Sequence, residues 1–166
     1  MNFTIRPGTK ADFKDIWRLL KDLAIHEKML DEMIVTYEEL ERDAFSQEPW
    51  FESLLAEVPE ENKEGFKIVG LAVYFYTYST WKGRSVYLED LYVMPEFRGF
   101  GIGKNLLSTL AKVVKEKHCV QLELSVLGQN NRSRAFYSGL GAQDITLRDG
   151  WHSLRFDAQS LKNVIL

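Results

Sequence analysis

The chain is expected to fold as a single α/β domain over residues 1–166, with a mixed, mostly antiparallel central sheet flanked by helices. Three observations predict this. Strand-like and helix-like hydrophobic periods follow one another in the order β-α-α-β-β-β-α-β-α-β. The two longest apolar stretches, 68–78 and 85–93, are joined through Trp81-Lys82-Gly83-Arg84, short enough for a turn between antiparallel strands. The run Arg98-Gly99-Phe100-Gly101-Ile102-Gly103-Lys104 lies between a strand-like stretch, 86–93, and a helix-like one, 104–117, as one right-handed β-α-β crossover requires.

Each element has its own signal. Phe3-Thr4-Ile5-Arg6 alternates as a short strand. Thr9-Lys10-Ala11-Asp12 supplies a cap and an acid in the first turn of a helix, and Phe13, Ile16, Leu20 and Leu23 then recur at helical spacing. Thr36-Tyr37-Glu38-Glu39 is a capping box opening a second helix, with Leu40 facing inward. Residues 51–58 read as a strand, 59–65 as a charged hairpin turn, and 68–78 as a long aromatic central strand. After the glycine run and its helix comes a strand over 121–126. A short helix over 131–140 stops at Gly141, a left-handed position, and 151–156 is expected to close the sheet.

Composition excludes several function classes. A net charge of −3 argues against a nucleic-acid binder, which needs a basic face. The single cysteine, Cys119, cannot form an internal disulfide and is expected to be a buried, reduced thiol, which fits the cytoplasm. No apolar leader and no run of membrane length is present. His26, His118 and His152 are scattered without metal-ligand spacing, so no metal is expected.

The glycine run carries the functional argument. Free N–H groups at a helix N-terminus bind anions, and glycines there remove the Cβ atoms that would hold a phosphate away. A nucleoside-triphosphate loop would need G-x-x-x-x-G-K-[ST], and Gly-Ile-Gly-Lys-Asn has neither the spacing nor the hydroxyl. A dinucleotide fingerprint would need a third glycine where Leu106 stands. Arg-Gly-Phe-Gly-Ile-Gly instead resembles the Arg/Gln-x-x-Gly-x-Gly/Ala signature of the Gcn5-related N-acetyltransferase (GNAT) superfamily, whose ligand is acetyl-CoA. The blander alternative is a glycine-rich turn without a ligand.

Other segments narrow the resemblance. Tyr87-Leu88-Glu89-Asp90-Leu91-Tyr92-Val93-Met94-Pro95, Tyr78-Ser79-Thr80-Trp81-Lys82-Gly83-Arg84, Phe136-Tyr137 with Leu140-Gly141-Ala142, and Gly150-Trp151 resemble the spermidine/spermine N1-acetyltransferase family over nearly the whole chain. The resemblance implies transfer of acetyl from acetyl-CoA to a small primary amine. It implies Glu89 as the base-side carboxylate and Tyr137 as general acid beside the coenzyme sulfur. Adjacent strand residues point to opposite faces, so at most one of Glu89 and Asp90 faces the reaction centre closely, the other binding or orienting. The resemblance further implies a bulge in the strand before the glycine run, with the main chain of Leu91, Tyr92 and Val93 pairing with the pantetheine arm. Arg98, Gly99, Phe100, Gly101, Ile102, Gly103 and Lys104 would hold the pyrophosphate. Asn130, Asn131, Arg132 and Ser133, with Tyr137, would flank the coenzyme. Gly128-Gln129 stand where the family often has an aromatic and an acid. Homodimers are typical of the family.

Substrate selection rests on carboxylates. Glu27, beside His26, and Glu89 and Asp149 are expected to meet a cationic amine, with Asp90 near them and Trp81 and Trp151 walling the channel. Polyamine-specific members have an aspartate where this chain has Ser79, and that difference is the pattern of the thialysine-type relatives. The expected substrate is therefore thialysine (S-aminoethyl-cysteine) and related small amines, with a diamine or polyamine as the alternative. A non-catalytic acyl-CoA sensor is the alternative of a different kind, and a protein acetyltransferase a further one.

Overall fold

The computed structural model describes all residues, 1–166, in two compact units, Met1–Ser125 and Val126–Leu166. The first unit holds a five-stranded sheet in the order β1 (Thr4–Pro7), β2 (Glu52–Glu57), β3 (Ile68–Ser79), β4 (Gly83–Val93) and β5 (Gln121–Leu124). Neighbouring strands are antiparallel except β4 and β5, which are parallel. That pair is joined by α3 (Ile102–Glu116), the single crossover that the glycine run predicted.

Two helices cover opposite faces of this sheet. Gly8 sits where an added Cβ would touch Ile16 of α1 (Phe13–His26) and Leu55 of β2, so Leu55 and its cross-strand partner Leu71 face α1. An added Cβ on Gly70 would meet the Tyr92 carbonyl at 3.2 Å and Ile102 at 3.4 Å, so the opposite face carries α3 packed close to β3. The spacing of Phe13, Ile16, Leu19 and Leu23 gives α1 one buried stripe, and Ile102, Leu106, Leu110 and Val114 do the same for α3. Leu106 and Leu110 are fully buried, so truncating either to alanine is expected to cost about 2–5 kcal/mol. The capping box at Thr36 opens α2 (Tyr37–Phe45): the Glu39 N–H donates to Thr36 Oγ1, and the Thr36 N–H donates back to the Glu39 carboxylate.

The second unit contains α4 (Asn131–Gly139), α5 (Ile145–Asp149) and α6 (Ala158–Leu161). Gly141 has φ +98, the left-handed stop expected after α4. Two expectations fail. Residues 151–156 form no strand and the sheet ends at β5; the segment is exposed, with Leu154 91% and Phe156 63% accessible. Cys119 is only partly buried, because it lies in the turn after α3 and not inside β5.

Candidate active site

The glycine run has the backbone geometry that an anion cradle needs. The Arg98 Nε–H donates to the Val93 carbonyl at 2.8 Å, and its guanidinium lies 5.5 Å from the Tyr92 ring, tying the loop to the end of β4. Gly99 and Gly101 have φ +85 and +84, which L side chains rarely adopt. An added Cβ at Gly99 would meet nothing within 4 Å, so that glycine serves the hand of the backbone and leaves open space above it. The first hydrogen bond at the start of α3 runs from the Asn105 N–H to the Gly101 carbonyl, and the N–H groups of residues 99–104 donate to no protein acceptor. Six consecutive amides at the positive end of a 15-residue helix fit a diphosphate.

Beside this cradle the sheet opens. β5 pairs with β4 only from Ser85 to Leu88, whereas β4 runs on to Val93. Leu91, Tyr92 and Val93 therefore have a strand partner on the β3 side alone, and the opposite main-chain edge can take an extended ligand as an added strand.

A bulge interrupts β4, the strand in which the resemblance implies one, at Glu89 and so ahead of the Leu91–Val93 strand end. Asp90 pairs with Val73 and Leu88 with Tyr74, so Glu89 has no partner of its own on β3. The extra residue inverts the alternation. Tyr87, Asp90 and Tyr92 pair with Phe75, Val73 and Leu71, and all six side chains lie on the α1 face. Glu89 is exposed and Asp90 partly buried. Burial, and then the charges of Glu89 and of Glu27 at the end of α1, push the Asp90 carboxyl up to about 7. No basic side chain pairs with any of these three carboxylates. His26 is exposed, its ring 6.5 Å from that of Tyr92, at the same end of α1. No three His, Cys, Asp or Glu side chains are placed to hold a metal ion.

Sequence reasoning missed the aromatic floor beside these carboxylates. Phe75 and Tyr87 stack with centroids 5.3 Å apart, and the Tyr87 hydroxyl lies 2.6 Å from Ser125 Oγ. The face that they occupy depends on the bulge, so alternation counted along β4 would have misassigned Tyr87 relative to Asp90.

Ser79 and Trp81 stand elsewhere. They form the tip of the β3–β4 hairpin, where Ser79 Oγ accepts from the Trp81 and Lys82 N–H groups at 3.3 and 3.1 Å. Ser79 pairs with Gly83, and Glu89 lies six steps along β4 from that rung, roughly 20 Å at the usual strand rise. The Ser79 hydroxyl thus serves the turn, and the protomer does not bring it to the carboxylates.

The remaining candidates belong to the second unit. Asn130 caps α4 by accepting from the Ser133 N–H at 3.1 Å, with Asn131 and Arg132 between them in the first turn. Tyr137 is partly buried and stacks edge-on with Phe136, their centroids 5.1 Å apart; burial pushes its phenol up to about 12. Asp149 accepts two hydrogen bonds from the adjacent Arg148 guanidinium, at 2.8 and 2.9 Å, which lowers its carboxyl below the ordinary range. Trp151 follows it, 64% exposed.

The chain is similar to known proteins. The sequence pattern of the Acetyltransferase (GNAT) family matches residues 17–142, a span that crosses from the first unit into the second. Thialysine N-epsilon-acetyltransferase of Bos taurus is 42% identical over 163 residues, covering 96% of this chain and 95% of that protein. Spermidine/spermine N(1)-acetyltransferase-like protein 1 of Homo sapiens is 39% identical over 160 residues, 96% of this chain but 23% of the human protein. Among solved structures, an integron cassette protein from the mobile metagenome of V. cholerae superposes with a TM-score of 0.77 over 99% of this chain and 98% of its own, at 22% identity, a likeness of fold.

Proposed function

The chain belongs to the acetyltransferase (GNAT) family, and we propose that the amine it acetylates is thialysine or a closely related small primary amine. The enzyme is an acetyl-CoA-dependent N-acetyltransferase. The observation that carries the reading is the coincidence, within one sheet, of the six unengaged amides, the parted strands β4 and β5, and the carboxylates beside the β4 bulge. Residues 98–104 would hold the diphosphate, and Leu91 to Val93 the pantetheine arm, with Asn130 to Ser133 flanking it. Bound acetyl-CoA supplies the acyl group; the chain supplies position, a proton acceptor and a proton donor. Tyr137 keeps its proton on Oη throughout the neutral range and is the proposed donor to the departing thiolate.

Thialysine suits this site chemically. Its sulfur, two carbons from the reacting nitrogen, withdraws electron density and makes the ammonium more acidic than that of lysine. Its distal end carries a carboxylate, so it needs fewer anionic contacts than a polyamine with several ammonium groups. The three carboxylates Glu27, Glu89 and Asp90 favour a second reading, a polyamine N1-acetyltransferase, because a multiply charged amine gains from each of them. The proposal treats both units as one acetyltransferase domain, working as a cytoplasmic homodimer. No helix is long and apolar enough to cross a membrane, and the one cysteine is free.

Initial rates of CoA release with thialysine, lysine, spermidine, spermine and putrescine test the proposal. Thialysine is expected to give the highest kcat/KM. A large margin for spermidine would replace it with the polyamine reading, and no release with any amine would leave a non-catalytic acyl-CoA sensor.

A further inference from the structure

We propose that Glu123 on β5 holds the α-ammonium group of the amino-acid substrate, and so selects amines that carry a second positive charge at that distance. The inference rests on the thialysine reading and adds a specificity-determining residue to that same site.

Strand register places Glu123 on the substrate side of the sheet. Tyr87 of β4 pairs with Glu123 of β5 in the parallel ladder, and residues paired in this way project to the same face. Tyr87 lies on the α1 face with Asp90, so Glu123 lies there too. The bond between Tyr87 Oη and Ser125 Oγ, two residues beyond Glu123, fixes the same face independently. Asp90 is one same-face step from Tyr87, because their partners on β3, Val73 and Phe75, are two residues apart. Two residues of strand rise and one strand spacing put the backbones of Asp90 and Glu123 roughly 8 Å apart. Between them lies the ring of Tyr87, stacked on Phe75.

This spacing matches the substrate. Thialysine carries two ammonium groups, the reacting one and the one on its α-carbon. Six bonds join the two nitrogens, an extended reach of roughly 7–8 Å with bonds of about 1.5 Å at tetrahedral angles. With the reacting nitrogen at the carboxylates beside the bulge, the chain crosses the Tyr87 ring and brings its α-ammonium to β5. Its thioether then rests against an aromatic face, a favourable contact for sulfur.

Glu123 is available for this contact. It is exposed, and no lysine, arginine or histidine pairs with it. Its one side-chain bond comes from a neutral group: the Gln121 Nε2–H donates to Oε1 at 3.2 Å, which orients the carboxylate and leaves Oε2 unengaged. The acetyl acceptor is an amine by the reading above, and Glu123 discriminates among amines: one without a second charge leaves this carboxylate unpaired.

Steady-state kinetics at saturating acetyl-CoA test the assignment, with thialysine and with its deaminated analogue, which keeps the reacting amine, the sulfur and the carboxylate but lacks the α-ammonium. The wild-type enzyme should show a KM for thialysine about tenfold below that for the analogue. Glu123→Gln should raise KM for thialysine about tenfold, keep kcat within about twofold of wild type, and leave KM for the analogue unchanged or lower. Glu123→Asp, which keeps the charge on a shorter arm, should recover part of the lost affinity. Glu123→Lys should reverse the preference, since it attracts the carboxylate that the analogue retains. A merely structural role would shift both substrates alike. An unchanged KM for thialysine in Glu123→Gln, or an equal rise for both compounds, overturns the assignment. The wild-type comparison depends on no variant's folding, and equal KM values for the two compounds refute the proposal by themselves. A wild-type enzyme inactive on every amine defeats the parent reading, whereas one that acetylates both compounds equally well defeats the role of Glu123 alone.

Discussion

Asp90 carries a cost that can be measured without any substrate. Its folded-state pKa is raised, so the native protein binds a proton more tightly than the unfolded chain between about pH 4 and 7. The stability tied to that proton is full below the unfolded value and lost as pH rises through about 7. Asp90→Asn should therefore stabilise the ligand-free protein at pH 8 by about 1–2 kcal/mol, after allowance for solvent screening, and flatten the slope across the window. Urea unfolding at several pH values gives the answer; no gain would mean that the folded protein ionises Asp90 freely. Tyr137 offers the complementary case. Its phenol, raised to about 12, stays protonated at every working pH, so Tyr137→Phe should cut kcat about 100-fold or more while the Kd for acetyl-CoA hardly changes. Unchanged turnover would remove Tyr137 from the chemistry.

At the scale of elements, two junctions bear most of the argument. The loop from β4 into α3 needs left-handed backbone at Gly99 and Gly101. Gly101→Ala puts a Cβ on φ +84, at about 1–2 kcal/mol, and should tilt the amides that follow. Its Tm should fall by a few degrees, and its Kd for acetyl-CoA should rise at least tenfold in calorimetry; wild-type affinity would dissociate the glycine loop from coenzyme binding. The second junction clips β1 to its neighbours. Arg6 donates to Asp12 through two guanidinium nitrogens at 2.8 Å each and to Glu57 on β2 at 2.6 Å, and the Thr9 N–H also donates to Asp12. These bonds, the Arg6 contacts foremost, hold the Asp12 carboxyl far below the carboxylate range. For a lowered acid the stabilisation is present above the unfolded pKa, about 4, and is lost as pH falls. Asp12→Asn should cost about 2 kcal/mol at pH 7 and little at pH 2, where the wild-type group is itself close to losing its charge.

At the scale of the whole molecule, the proposed homodimer makes a prediction for the exposed end of the chain. Leu154 and Phe156 alternate with Ser153 and Arg155 as a strand would, yet they lie open, and β5 is a free edge of the sheet. A protomer that leaves such a pattern uncovered is expected to lay it against its partner. The double substitution Leu154→Asp and Phe156→Asp should shift the mass in light scattering from dimer to monomer; a wild-type protein that is monomeric at micromolar concentration would refute this. Much of the fold was legible beforehand. Hydrophobic period located α1, α3 and the long hairpin, and the glycine run announced the left-handed loop at the start of α3. The last strand was misread because a period-2 pattern states that a segment can pair and not that it does. That Ser79 lies at the hairpin tip was not legible, because position in a motif says nothing of distance along a strand.

The sequence alone determined the order of elements as far as α4, the glycine loop that opens α3 and the acetyltransferase family, since these depend on residues close together along the chain. Only the tertiary structure decided which of two adjacent carboxyls is sheltered. A one-residue bulge against β3 inverts the faces of everything before it, and the end of α1, some sixty residues distant in sequence, brings the Glu27 charge that helps Asp90 retain a proton.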